Sequence, residues 1–342
     1  MVKISVVMPV YNTPIPFLKE AVESILNQTF GDFEFIIIDD GSTNDAKKYL
    51  EGLTDPRIRL IRNETNIGIT KSLNIGFKAA QGKYIARMDS DDISFPERFE
   101  KQYAFMEAHS EVIVCGTRMV LVGKLTPPNH SKIEEMENYR VRMLFRNPGP
   151  IHSTAFFDRE KLLRYHISYD EKLIYAQDYG MWMTISQYGR ICSLPEVLLN
   201  IRMHPNQISK EHRKQQILCD KMTQKKLLLQ LLDHVTDEEI DLHYYHSTGY
   251  YKEATITPEV AQWYKKLIAA NARKKVYDPK LLQRHVERIK TELIYHTIEK
   301  SMSPVEKGML FLRYLSPVTI AREIRNAIKA RIQRWNHLAI SN

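Results

Sequence analysis

Apolar positions along the first hundred residues alternate between two periods. Ile4–Val10 is a short β-rich run that ends at Pro9 and Tyr11-Asn12. From Phe17 to Leu26 the spacing of Phe17, Leu18, Ala21, Val22, Ile25 and Leu26 predicts a helix with one apolar stripe. Phe33–Ile38 is continuously apolar, as buried parallel strands are, and Asp39-Asp40-Gly41-Ser42 breaks it. Ile58–Ile61 predicts a third strand, Ile69–Ala79 a helix, and Lys83–Met88 a fourth strand ending at Asp89-Ser90-Asp91-Asp92. Strands and helices in this rhythm imply right-handed crossovers and a mostly parallel α/β sheet flanked by helices.

Further along, the pattern loosens. Glu97–Ala108 and Gln177–Gln187 predict helices, and Val112–Leu121, Ile151–Phe157 and Val197–Met203 predict strands, with a polar loop over Gly123–Asn138. Beyond about Ser209 strand runs give way to Lys, Leu, Ile and Tyr at helical spacing. The expected division is therefore a catalytic domain at 1–210 and a helical C-terminal region at 211–342.

Three polar clusters sit at predicted strand ends: Pro9-Val10-Tyr11-Asn12, Asp39-Asp40-Gly41-Ser42 and Asp89-Ser90-Asp91-Asp92. In an open parallel sheet ligands bind outside the carboxyl ends of the strands, so these clusters should share one cleft. Singly, the first two read equally well as turns. The third is sharper, because three carboxylates in four residues repel one another unless a cation intervenes. Hard oxygen ligands suit Mg²⁺ or Mn²⁺ with substrate phosphates completing the shell. The competing reading makes Asp91 or Asp92 the cap of the helix entered through Pro96. Lys71 and Arg87 are candidate phosphate contacts, Arg87 the better for its place beside the acidic cluster.

These residues carry a resemblance. PVYN at 9–12, IIDDGST at 37–43, Asn66-Ile67-Gly68, SLNIGF at 72–77 and YIARMDSDD at 84–92 resemble family 2 glycosyltransferases of the GT-A fold. Asn147-Pro148, Ile151-His152-Ser153-Thr154, Ala176-Gln177-Asp178-Tyr179 and Ile201-Arg202-Met203-His204-Pro205 continue the match in order, over about residues 1–210. The series is most similar to bacterial lipooligosaccharide and capsule enzymes that add N-acetylglucosamine or galactose.

The resemblance implies an inverting transfer of GlcNAc, Gal or GalNAc from a UDP-sugar to a hydroxyl of a glycan or lipid-linked glycan. Pro9, Tyr11, Asn12, Asp39 and Asp40 would hold the nucleotide. Asp89 and Asp91 would form the metal motif, with Ser90 and Asp92 beside the donor, and His204 would reach the metal or diphosphate late in closure. Asp178 would be the general base. Gln177 stands where the family often has an acid, so the usual acidic pair is reduced to one member. Taken without the resemblance, Asp178 reads as a helix cap and His204 and His152 as structural histidines. A sugar nucleotidyltransferase would need a Gly-rich, basic loop after the first strand, where this chain has Pro-Val-Tyr-Asn. Intact acids at 89, 91 and 178 speak against a non-catalytic binding module.

Composition sharpens the rest. Hydrophobic residues make up 43% and charged residues 26%, ordinary values for a globular protein. The net charge of +8 is confined to the rear: residues 1–210 balance, while residues 211–342 hold 23 basic and 15 acidic side chains. Ser316-Pro317 opens a helix on which Ile320, Ile324, Ile328, Ile332 and Trp335 share a stripe, with Arg322, Arg325, Lys329 and Arg334 away from it. Residues 316–340 either lie on an anionic membrane surface or pack on the catalytic domain. No nucleic-acid module is present. Three scattered cysteines, and a strand pattern from Val2 that leaves no room for a leader, predict a cytoplasmic protein, which is peripheral on the inner face of the cell membrane if residues 316–340 take the first of those two courses.

Overall fold

A computed structural model describes residues 2–123, 136–203, 212–298 and 302–326 of the chain. It falls into two compact units, Met1–Met143 with Asn147–Thr223, and Leu144–Arg146 with Gln224–Asn342.

The first unit is built on an eight-stranded sheet in the order β3-β2-β1-β4-β7-β6-β8-β5. Its strands are β1 (Ile4–Val10), β2 (Phe33–Asp39), β3 (Ile58–Arg62), β4 (Tyr84–Arg87), β5 (Ile93–Ser94), β6 (Val112–Leu121), β7 (Phe156–Asp158) and β8 (Arg190–Ile201). Strands β1 to β4 pair in parallel, and their registers align Val10 with Asp39 and Asp39 with Arg62. Their carboxyl ends therefore form one rim. Every residue of β1 and β4 is buried, as expected for strands covered on both faces, whereas edge strand β3 buries none fully and exposes Arg59 and Arg62.

Helices α1 (Ile15–Leu26), α2 (Ala46–Glu51), α3 (Ile69–Ala79) and α4 (Arg98–Ala108) follow the first strands. Helix α1 starts at a proline-favoured first turn and buries Leu18, Ala21, Val22 and Ile25. A Cβ at Gly76 of α3 would sit 2.4 Å from the Val7 side chain, so only glycine lets that helix lie so close to β1. Then come α5 (Met136–Met143), α6 (Arg159–Arg164) and α7 (Gln177–Ile185).

The structure corrects three local expectations. Ile151–Phe157 is not one strand: His152–Thr154 make a 3₁₀ turn, and only Phe156–Asp158 pair. The Thr154 hydroxyl donates to the Ile151 carbonyl at 2.7 Å, a local bond that competes with the ladder. The last strand begins at Arg190, not Val197. Its register jumps from Gly116↔Ser193 to Arg118↔Val197, leaving Leu194, Pro195 and Glu196 in an irregularity where a proline is tolerated. Neither Asp91 nor Asp92 caps the next helix, since Glu97 occupies the cap position of α4 and makes no capping bond.

The second unit is helical, with α8 (Arg213–Leu231, shared across the divide), α9 (Asp237–Ser247), α10 (Pro258–Lys274), α11 (Pro279–Thr297) and α12 (Pro304–Tyr314), followed by a helical run at 317–326. Phe145 packs against the rings of His243, Tyr264 and His285, and Leu228, Leu267, Val286 and Ile294 are buried in the same unit. Trp263 donates its indole N–H to His243 Nδ1 at 3.0 Å, and the other ring nitrogen meets the Leu144 carbonyl at 2.7 Å. Burial holds this histidine neutral, with its pKa near 4.

Candidate active site

The loop after β1 and the loop after β2 are laced together. Asn12 adopts a left-handed backbone (φ 50°), a conformation asparagine tolerates. Its N–H donates to the Ser42 hydroxyl at 3.0 Å, and its Oδ1 accepts from the Thr43 and Asn44 amides. Asp39 Oδ1 accepts from the Ser42 amide at 2.9 Å, with Arg62 3.4 Å from its other oxygen. Asp40 accepts from Asn63 Nδ2 at 2.8 Å, the Ile67 amide at 3.0 Å and the Gly68 amide at 2.9 Å. Both carboxylates are buried. Gly41 has φ 73°, and a Cβ there would meet the Thr65 backbone at 2.7 Å. Tyr11, by contrast, leaves 48% of its surface open beside this lacing.

The loop after β4 joins the same rim, because the Thr13 and Ser90 hydroxyls share a 2.7 Å hydrogen bond. Ligand atoms of Asp89, Asp91 and Asp92 all lie within 4.8 Å of one another. Asp89 and Asp91 are half-buried and Asp92 buried. Burial, then the neighbouring charges of Asp89 and Asp91, push the Asp92 carboxyl up to about 7. Ser153 and the Arg202 amide (3.1 Å) donate to it in partial compensation. Carboxylates this crowded suit a hard divalent cation, which would supply the missing positive charge.

Beneath the cluster lie two buried arginines. Arg87 is 2% exposed and pairs with Asp89, and its Nε and Nη1 find no hydrogen-bond partner. Arg98 donates to Gln102 Oε1 at 2.9 Å and to the Arg87 carbonyl at 2.8 Å. Lys71 lies exposed in the first turn of α3.

Asp178 is the second residue of α7. Asn147 Nδ2 donates to its Oδ2 at 2.8 Å and the Tyr179 amide to its Oδ1 at 2.8 Å. Burial nevertheless raises its pKa above the ordinary carboxylate value, against the lowering pull of these two donors and of Arg87. Arg87 thus acts electrostatically on Asp89, Asp92 and Asp178 alike. His152 contacts the Tyr169 hydroxyl at 2.8 Å, and burial beside Arg87 drives its pKa well down, so it is neutral. Gln177 buries an Oε1 that finds no hydrogen-bond partner.

The structure brings Asn12, Asp39, Asp40, Asp89, Ser90, Asp91 and Asp92 to one rim, and Asp178 near Arg87. His204 lies outside the described residues. Thr13, Asn63, Asn147, Ser153 and Arg202 carry no signal of a role in the sequence. Three of these stand in quoted motifs, yet Asn147 and Asp178 are 31 residues apart and Arg202 and Asp92 110, so only the fold names the partners.

The sequence profile of glycosyl transferase family 2 matches residues 5–165. An uncharacterized glycosyltransferase of Haemophilus influenzae is 33% identical over 232 residues, covering 62% of this chain and 69% of that protein. The chain belongs to glycosyl transferase family 2. It is also 33% identical to the O-antigen biosynthesis glycosyltransferase WbnJ of Escherichia coli, over 59% of this chain and 80% of the other. With the amylovoran biosynthesis glycosyltransferase AmsE of Erwinia amylovora it shares 30%, over 60% and 78%. Among solved structures, residues 1–349 of Staphylococcus aureus TarS in complex with UDP-GlcNAc superpose with a TM-score of 0.55 at 19% identity. That match covers 88% of this chain and 91% of the other, while the longer TarS chain is spanned to 54%. At such identity the likeness shows the fold, a GT-A fold with a helical C-terminal region. The family 2 chain is a glycosyltransferase. Among the described residues no helix is long and apolar enough to cross a membrane.

Proposed function

We propose that this glycosyltransferase moves GlcNAc, Gal or GalNAc from a UDP-sugar to a hydroxyl of a glycan or lipid-linked glycan, inverting the anomeric carbon, in cell-surface polysaccharide or lipooligosaccharide synthesis. The names of the O-antigen and amylovoran relatives and the UDP-GlcNAc complex of TarS support the substrate class. The observation that carries the mechanism is Asp178, a buried carboxylate with raised pKa that accepts from Asn147 and the Tyr179 amide and feels the charge of the guanidinium that pairs with Asp89.

In this reading Pro9, Tyr11, Asn12, Asp39 and Asp40 frame the nucleotide end of the cleft, with Lys71 near its edge. Asp178 takes the acceptor hydroxyl proton as that oxygen attacks the anomeric carbon. The bond from that carbon to the diphosphate breaks, and the electron pair leaves with the nucleotide. Arg87, pinned under the rim, keeps Asp89 in place and favours the ionised form of Asp178. Asp89, Asp91 and His204 would hold Mn²⁺ or Mg²⁺, which supplies Lewis-acid stabilisation of the leaving diphosphate when bound, with Asp92 on the donor side. The catalytic work belongs to residues 1–210. The basic helical residues 211–342 carry the protein to the cytoplasmic face of an anionic membrane, with 316–340 as the contact. A panel of nucleotide-sugars tested for thermal stabilisation with and without Mn²⁺ identifies the donor. Should no UDP-sugar stabilise the chain, the donor assignment fails.

A further inference from the structure

Helix α12 is unusual among the described helices in having no buried residue. At helical spacing Val305, Met309 and Leu312 fall on one stripe, and they are 70%, 55% and 71% exposed. A Cβ at Gly308, on the same side, would meet nothing within 4 Å. The opposite side is the packed one, where Phe311 sets its ring against Tyr295 of α11 at 5.7 Å.

Helix α12 is fixed at both ends. A capping box joins Ser303 and Glu306 at its start. Just past its end, the buried Glu287 carboxylate accepts from the Ser316 amide at 2.9 Å and from Lys290 at 2.8 Å. Leu315 and Thr319 turn inward there, while Val318 and Ile324 stay exposed. The apolar stripe is thus held outward instead of collapsing onto the unit.

From this geometry we propose that the outward face of α12 is a docking surface for an anionic lipid bilayer. The inference rests on the membrane reading above and moves the primary contact to a helix that precedes residues 316–340. Charge supports a bilayer. From Met302 to Asn342 the chain has seven basic and two acidic residues. Both acids are engaged locally, Glu306 in the capping box and Glu323 with Arg322 and Tyr295. Arg313, Arg322 and Arg325 are exposed. Size argues against a second protein copy, since three such side chains expose on the order of 300 Å², against roughly 800 Å² per partner in a specific interface. A bilayer needs no matching surface: a few apolar side chains enter the acyl boundary while arginines meet the headgroups.

The test uses the full chain and vesicles of phosphatidylcholine with or without phosphatidylglycerol. Wild type should sediment with the anionic vesicles, less so at high salt, and leave neutral ones in solution. Replacing Val305, Met309 and Leu312 together by Gln keeps good helix formers and removes no core contact. That variant should bind anionic vesicles about tenfold more weakly or worse, with thermal melting unchanged. Arg313→Glu with Arg322→Glu should reduce binding in the same direction. If wild type sediments and the triple variant does so equally, α12 is not the contact while the membrane reading stands. If wild type binds no vesicle, both are lost. A wild-type dimer that the triple variant converts to monomer would overturn the proposal in favour of a second copy.

Discussion

Two acidic corners lie on the same rim, and they are opposites. Asp39 and Asp40, after β2, are buried and held singly: Asp39 accepts from the Ser42 amide and forms an ion pair with Arg62, its Oδ2 making no hydrogen bond, while Asp40 accepts from Asn63, Ile67 and Gly68. Asp89, Asp91 and Asp92, after β4, bring their ligand atoms within 4.8 Å of one another, and burial with the charges of Asp89 and Asp91 pushes Asp92 up to about 7. Similar residues at equivalent strand ends thus sit in different surroundings. Where each carboxylate has its own donors, the charge holds loops together. Where carboxylates share a space, the surplus charge asks for something from outside.

Breaking the second corner should have the largest effect. Asp91→Ala should lower sugar transfer by about 10³-fold or more, while its melting temperature stays level or rises as repulsion is relieved. A marked loss of stability instead would make the cluster a structural one. Asp178→Asn should lower transfer by about 10²- to 10⁴-fold and leave donor affinity, read by calorimetry, unchanged. Near-full activity in that variant would remove Asp178 from the chemistry. Asp40→Ala should behave as the converse of Asp91→Ala. It orphans three donors and should cost about 3 kcal/mol of stability, measured by denaturant unfolding. The smallest effect is one of pH. A base must be ionised, so kcat/KM should fall as pH drops through the Asp178 pKa, and its raised value puts that limb above the ordinary carboxylate figure of about 3.9. Asn147→Ala removes a bond that favours the ionised form, so the limb should move higher still. A limb that does not move would separate Asn147 from the base.

Much of this corner contrast was invisible at the level of residue type. Asp39-Asp40 and Asp91-Asp92 read alike in sequence, whereas in the fold Asn63 and the Ile67 and Gly68 amides converge on Asp40 alone. The raised pKa of Asp178 was equally out of reach, since the sequence placed it at a helix start, where an exposed cap is the ordinary reading. The strand at Arg190–Ile201 was half missed because Pro195 reads as an end, and only pairing with β6 shows that it sits in an irregularity.

Periodicity by itself determined the parallel strands β1 to β4, helices α1 and α3 and the rim on which the polar clusters meet, but not the short helix α2. These follow from local chemistry: apolar runs that must be buried, and turn formers that end them. Tertiary structure alone decided which carboxylates are satisfied, which guanidinium lies beneath them, and which apolar stripe remains uncovered. Those outcomes depend on partners tens of residues away, and desolvation acts on distances in space that spacing along a chain does not encode.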